Sequence, residues 1–324
     1  MVRVTENSSA AAVGLAISKA KGKLEELQLK GANLKKIRKP SDNPTGNAKA
    51  LELGSRNKNI EQYLKNIDYA EFNINIIEKS VEEITNVLVK AKEIAILQAG
   101  DFYGADIKKN IAEDVNQLKK QLLGISSKRL GNRYIFAGHQ SLTKPFDEFG
   151  NYYGDDKNIE IEIARDFKIP ITLNGKELFF YDKEVQSEPI KAPSIEDGRP
   201  NRDLASTQEI KVETRNIIKL IDKLETSLRT NDKVLTQSLL EDIDIATKEV
   251  IRARTKLGSV TNTIETFRNK MEKEEIDNKA LRSKIVDADI AELFSEVSKQ
   301  QQILGTAYKS GQAIINRSLM DFLK

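Results

Sequence analysis

His139 is the only histidine in the 324 residues, and it follows Gly138 in "GNRYIFAGHQS", residues 131–141. Glycines near a histidine raise the possibility of phosphate chemistry. A phosphate loop needs glycines at fixed spacing followed by Lys-Ser/Thr, so that backbone N–H groups cradle the oxygens. Gly131, Gly138 and His139 have neither that spacing nor that ending. One histidine cannot build a multi-histidine metal site. The absence of cysteine removes disulfides and thiolate ligands. Asp287-Ala288-Asp289 offers two carboxylates, but a calcium loop also needs further oxygens and a glycine at its sharp turn. These residues therefore read as ordinary elements of structure: His139 at a turn, and Asp287 or Asp289 as an acid that starts a helix. No catalytic, cofactor-binding or metal residue is assigned, no cofactor is implied, and an enzyme is not expected.

Charge narrows the partners. Lys and Arg number 52 against 49 Asp and Glu, a net +3, which gives no steer toward nucleic acid. The first 39 residues are locally basic, with nine basic residues (among them Lys19, Lys21, Lys23, Lys30 and Lys35) against Glu6, Glu25 and Glu26. Basic amphipathic helices can bind lipid or nucleic acid. Without interleaved aromatic residues, this one reads as a solvated face opposite an apolar seam. No apolar run approaches the roughly 20 residues that span a bilayer, and "MVRVTENSSAAAVGL" has no compact leucine-rich stretch of a secretory signal. The expectation is no nucleic acid, no membrane insertion and no cleaved signal.

The seven prolines fall at 40, 44, 145, 170, 189, 193 and 200, leaving 45–144 and 201–324 free of them. Proline is costly inside a helix, so the chain divides into helix, break, helix, non-helical insert and helix. Apolar spacing agrees. Val13, Ile17, Ala20, Leu24, Leu27, Gly31 and Leu34 recur at intervals of three and four. Ile60, Ile67, Ile74, Val81, Leu88 and Ala95 keep a strict interval of seven, with Tyr63, Ala70, Ile77, Ile84 and Ala91 three residues behind, which is a heptad seam. A further helix is expected over about 105–130, another from Ile217 to a stop at Thr230-Asn231-Asp232, then a long one from Leu239 to Met271, and a last one through Ile290–Phe322. Leu257, Val260, Ile264 and Phe267 are expected to face Ile60, Ile67, Ile74 and Val81.

The insert differs in composition. Ten of the 19 Phe and Tyr lie between Tyr134 and Tyr181. Ile159, Ile161 and Ile163 alternate with polar residues, as do Ile169, Ile171 and Leu173, and Asn174-Gly175 signals a hairpin. Residues 184–202 read as a polar, proline-rich loop. The fold class is therefore mainly α with a β insert: an elongated rod of long antiparallel helices plus a small β domain at or near the end away from the termini. The boundaries are a terminal coiled-coil domain of 1–40 and 285–324, a helical rod of 41–139 and 203–284, and a β-rich insert of 140–202.

The terminal helices pose an energetic problem. Each seam residue contributes roughly 1.5–3 kcal/mol if fully buried, while each ordered residue costs about 1–2 kcal/mol of backbone entropy. Such helices are marginal unless neighbours cover them on several sides, which suits a subunit that completes folding on assembly. Residues 1–40 and about 285–324 are thus expected to be protease-sensitive in the monomer. The candidate assembly interface is Val13, Ile17, Leu24, Leu27 and Leu34 with Val297, Leu304, Tyr308, Ile315 and Leu319. The break at "KIRKPSDNPTGNAKALEL", residues 36–53, is the expected link between domains, set by Pro40, Asp42, Pro44 and Gly46, with Ser41 or Asp42 capping a helix that begins near Asn47.

"RKPSDNPTGNAKALELGSR" resembles the N-terminal signature of the bacterial flagellin superfamily, and in particular its hook-associated members. "GNRYIFAGHQSLTKPF", "YYGDD" at 152–156 and "ITLNGKELFF" resemble the segment leaving the helical core and the β domain of those members. The long C-terminal stretch ending "SLMDFLK" is similar to the flagellin-type C-terminus. The resemblance implies a structural subunit of the flagellum in a junction ring between hook and filament. It implies export through the type III apparatus without a cleaved signal and an inner tube of paired terminal helices. The implied partners are further copies of itself, the other hook–filament junction protein, flagellin, and an export chaperone. Filament flagellin is the rival within the class. A cytosolic coiled-coil adaptor with a ligand-binding β domain is the rival outside it.

Overall fold

The structure, a computed structural model, describes residues 6–99, 105–186 and 210–322. Over these residues most of the proline-free sequence is helical: α1 (Glu6–Asn33), α2 (Pro44–Ala99), α3 (Ala105–Ser126), α5 (Ile217–Arg229), α6 (Lys233–Val286) and α7 (Ile290–Phe322). Residues 127–144, with β1 (Arg129–Leu130) and β2 (Arg133–Tyr134), and 210–216 are not, although both fall within the expected helical stretches. A seventh, short helix, α4 (Gly175–Phe179), lies among six strands that pair as three two-stranded antiparallel sheets. The chain forms two compact units, one of residues 1–62 with 270–324 and one of residues 63–269.

In the 63–269 unit, the heptad pattern is realised as burial. Ile67, Ala70, Ile74, Ile77, Val81, Ile84, Leu88, Ala91 and Ala95 of α2 are all inside, with Tyr63 half-buried. Ion pairs join α2 to α6 in antiparallel sense: Arg268 reaches Asp68 at 2.8 Å and Glu71 at 2.6 Å, and Lys92 meets Asp244 at 2.6 Å. Leu257 and Ile264 are buried, while Val260 and Phe267 are half-buried. Helices α3 and α5 pair antiparallel as well, through Arg229–Glu113 at 2.5 Å and Lys119–Asp222. Helix α5 ends where the sequence stops it, with Thr230 as its C-cap and Asn231 at φ +54°.

The aromatic-rich segment packs as its own small core. The rings of Phe136, Phe146 and Phe179 are fully buried, with centroids 5.6 Å apart for Phe136–Phe179 and 4.8 Å for Phe146–Phe179. Tyr152 seals it. Its hydroxyl donates toward the carbonyls of Asp155 (2.8 Å) and Phe136 (3.1 Å) and accepts the N–H of Gly175 (3.3 Å). Burial pushes the Tyr152 phenol up to about 12. An unfolded tyrosine ionises near 10. Over roughly pH 10–12 the unfolded chain therefore sheds this proton while the folded chain keeps it, and stability falls as pH rises through that window. Tyr152→Phe is expected to flatten this part of the alkaline profile. Tyr181, whose phenol burial beside Asp242 also raises, contributes to the same alkaline loss, as does half-buried Tyr63. Equal slopes of melting temperature against pH for parent and variant would count against the assignment.

Two expectations for the insert are corrected. Asn174-Gly175 is not a hairpin turn. Asn174 Oδ1 accepts the Glu177 N–H at 2.8 Å and caps α4. Gly175 is needed for crowding: a methyl there would stand 2.7 Å from the Tyr152 ring and 2.9 Å from the Phe136 carbonyl. The hairpin turn lies earlier, at Arg165-Asp166 between β3 (Glu160–Ala164) and β4 (Phe167–Pro170), with Asp166 at φ +60°. Nor is 184–202 simply a loop, because β5 (Phe180–Gln186) pairs with β6 (Ile210–Asn216). Residues 187–209 lie outside the described residues. The β3–β4 hairpin flanks the long helices rather than extending beyond their ends. Asn66 Nδ2 donates to the Glu162 carbonyl at 2.7 Å, and Phe167 stacks on Phe267 with centroids 4.4 Å apart.

Candidate assembly surface

In the other unit, α1 and α7 run antiparallel. The pairing comes from the three-four apolar spacing on both. Ala20 and Leu27 of α1 and Leu293 of α7 are buried, while Val13, Ile17, Leu24, Val297 and Leu304 are half-buried along the seam. A methyl added at Gly311 would stand 3.2 Å from Val13 Cγ1 and 3.6 Å from Ile17 Cδ1, and Gln300 Nε2 donates to the Ala20 carbonyl at 3.1 Å. Asp289 starts α7: its Oδ1 accepts the N–H of Ala291 at 2.8 Å. The basic side chains of α1 are partly paired on the solvent face, as in Lys30–Glu26 at 2.7 Å.

Leu34 and Tyr308 lie elsewhere. Both are exposed, and Leu34 sits past the end of α1 at φ +52°. The side chains of Ile315 and Leu319 are outside those the structure describes. A second apolar set, which the spacing argument missed, faces outward: Leu15 and Leu29 on α1, and Ile290, Phe294 and Ile303 on α7. The α1–α7 pair gives each helix one main partner, so these residues off the seam are left in water. The excess of apolar residues over one narrow stripe was the available signal.

The break between α1 and α2 is a built turn. Asp42 Oδ2 accepts the N–H groups of Arg38 and Lys39, both at 2.9 Å, and these bonds hold its carboxyl below the usual range, Lys39 contributing most. Helix α2 then starts three residues earlier than expected. Asn43 is the cap, its Oδ1 accepting from Gly46 N–H at 2.9 Å, and Pro44 takes the first helical position, where its missing N–H costs nothing. Pro44 and Gly46 thus belong to the first turn of α2, while Pro40 and Asp42 lie in the connection. Gly46 is packed tightly. A methyl there would stand 2.7 Å from Asn43 Nδ2 and 2.9 Å from Ile37 Cδ1. Gly46→Ala is expected to cost about 1–2 kcal/mol by displacing the cap, against the roughly 1 kcal/mol that alanine gains inside a helix. A thermal melt showing net stabilisation would sink this reading.

The connection is also held from across the unit. Lys36 N–H donates to the Val286 carbonyl at 2.7 Å, Ala288 N–H donates to the Leu34 carbonyl at 3.0 Å, and Lys35 and Asp287 form an antiparallel bridge. The α1–α2 and α6–α7 crossings are therefore stitched to each other.

Elsewhere the polar clusters are structural. Asp242 of α6, with only 5% of its side chain exposed, is clamped by Arg215 at 2.7 Å and by Lys183 from the β5–β6 hairpin. His139 is exposed, and its backbone N–H donates to Asp155 Oδ1 at 2.7 Å. Among the described residues, no group of three or more His, Cys, Asp or Glu is placed to hold a metal ion.

Residues 4–141 match the family model described as the bacterial flagellin N-terminal helical region, and residues 240–323 match that of the bacterial flagellin C-terminal helical region; together they take in more than half the chain. The chain belongs to the bacterial flagellin family. Both flagellin-type regions contain one helix of the α1–α7 pair and one crossing. The chain is 24% identical over 283 residues to flagellar hook-associated protein 3 of Salmonella typhimurium, covering 85% of each chain. It is likewise 24% identical over 302 residues, 90% of each chain, to flagellar hook-associated protein 3 of Escherichia coli. Its fold is similar to that of a putative flagellar hook-associated protein from Vibrio parahaemolyticus, with TM-score 0.62 at 14% identity, covering 76% of this chain and all of that one. It is also similar to the flagellar junction protein FlgL from Legionella pneumophila, with TM-score 0.57 at 18% identity, covering 74% of this chain and all of that one.

Proposed function

We propose that the chain is a structural, non-catalytic subunit of the bacterial flagellum, forming the ring that joins hook to filament and assembling through its terminal helices. The observation that carries this is the antiparallel α1–α7 pair with apolar residues left on its outer side, in a chain that matches two flagellar hook-associated proteins over 85% and 90% of their length. Val13, Ile17, Leu24, Leu27, Val297 and Leu304 hold the pair together. Leu34 and Tyr308 face outward, beside other copies. Residues 1–40 and 285–324 are the assembly domain, and the Pro40–Asp42 turn connects it to the rest. The subunit leaves the cell through the flagellar type III apparatus without a cleaved signal, escorted by a chaperone. It then meets the other junction protein on one side and flagellin on the other.

The family models are those of flagellin, which favours filament flagellin as the second reading. Electron microscopy of the purified monomer, mixed with sheared filament seeds and separately with isolated hooks, decides between them. A short ring at hook ends that does not propagate is the expected result. Filaments growing from the seeds would make the chain a flagellin.

A further inference from the structure

The stitched crossings frame a groove lined by Ile37, Ala50, Leu51 and Val286, with Lys35, Arg38 and Arg282 around it. No carboxylate lines this groove, and none of the three cations has an ion-pair partner among the described residues. Leu51 stands there 67% exposed. An apolar floor ringed by unpaired cations fits an acidic segment that carries an apolar side chain.

The same unit carries such a segment. From Asp287 to Val297 there are four acids, Asp287, Asp289, Glu292 and Glu296, and no Lys or Arg. Acids at a helix start answer the helix dipole, which accounts for their charge but not for their neighbours. Ile290 and Phe294, one turn apart on α7, are 51% and 67% exposed. The backbone bridge between Lys35 and Asp287 brings the two stretches side by side in one copy, yet among the described residues no ion pair joins their side chains.

We propose that in the assembly the acidic Ile290–Phe294 face of one copy docks into the Lys35–Arg38–Arg282 groove of the next. The contact is heterologous, joining two different patches of one chain. Its repetition therefore closes a ring or extends a helix, where a self-complementary patch stops at a dimer. Phe294 supplies the buried anchor. The charges set direction and make docking salt-sensitive. The inference rests on the subunit reading above.

The cysteine-free chain makes the test direct. Full-length Leu51→Cys and Ile290→Cys, both at exposed positions, are mixed in equal amounts on isolated hooks and mildly oxidised. A disulfide needs the two Cα atoms within about 7 Å. The expected result is a reductant-sensitive mixed dimer, about tenfold above either variant alone. Arg38→Glu/Arg282→Glu is expected to lower hook-end occupancy about tenfold at low salt, and this readout needs no cross-link. Decoration of hooks without the mixed dimer, and with the charge-reversed variant binding like the parent, would overturn the docking while leaving the subunit reading intact. Failure of the parent to decorate hooks would overturn both.

Discussion

Gly138→Ala is expected to destabilise the 63–269 unit by about 3 kcal/mol, from left-handed backbone strain plus the loss of a hydrogen bond to a charged acceptor. Gly138 has φ +63°, and a methyl there would lie 1.9 Å from Asp155 Oδ1, 2.7 Å from the Lys157 carbonyl and 2.9 Å from the Asp155 carbonyl. Two of these are backbone atoms, so no side-chain rotation relieves the clash. Moving the 155–157 segment releases the Asp155–His139 bond and the Asp155 carbonyl that receives the Tyr152 hydroxyl. The control is Gly131→Ala, which has nearly the same φ, +59°, but nothing within 4 Å. It should lose only the backbone share, about 1 kcal/mol. For a unit of this size the two variants should melt roughly 6–12 °C and 2–4 °C below the parent. Equal losses would show that the crowding around Gly138 has no consequence.

Leu27→Asp is expected to part α1 from α7. Leu27 is 3% exposed. Removing its side chain costs about 2–5 kcal/mol, and a buried carboxylate without a partner adds to that. Each helix has the other as its main neighbour, so the loss is not shared. Hook decoration should be abolished, with the melting of the 63–269 unit unchanged. Leu29→Asp changes an exposed neighbour, and it should weaken hook decoration without abolishing it. Hook decoration by Leu27→Asp equal to the parent's would refute the seam.

Much of this was legible in the sequence because helices announce themselves locally. Seven prolines bounded the helical stretches, and the interval of seven from Ile60 to Ala95 identified the inward face of α2 residue by residue. The sequence was weaker where one signal serves two structures. Asn174-Gly175 suits a tight turn, yet an asparagine also caps a helix, and the choice depended on Tyr152 and Phe136 arriving from elsewhere in the chain. At 36–46 every breaker was visible, but with several capping residues in a row the start of α2 turned on Pro44 fitting the first helical position. Pairings between distant segments left no local mark. Nothing near Lys36 indicates Val286, and nothing near Asp242 indicates Lys183 or Arg215.

The stitching of the two crossings has a mechanical consequence. A single strand between two bodies is a swivel, because rotation about its bonds costs little. Two strands crossing at one level, joined by Lys36–Val286 and Leu34–Ala288 hydrogen bonds, cannot rotate independently without breaking them. They form a coupling. Twist applied to the α1–α7 pair therefore loads both crossings together rather than either one alone.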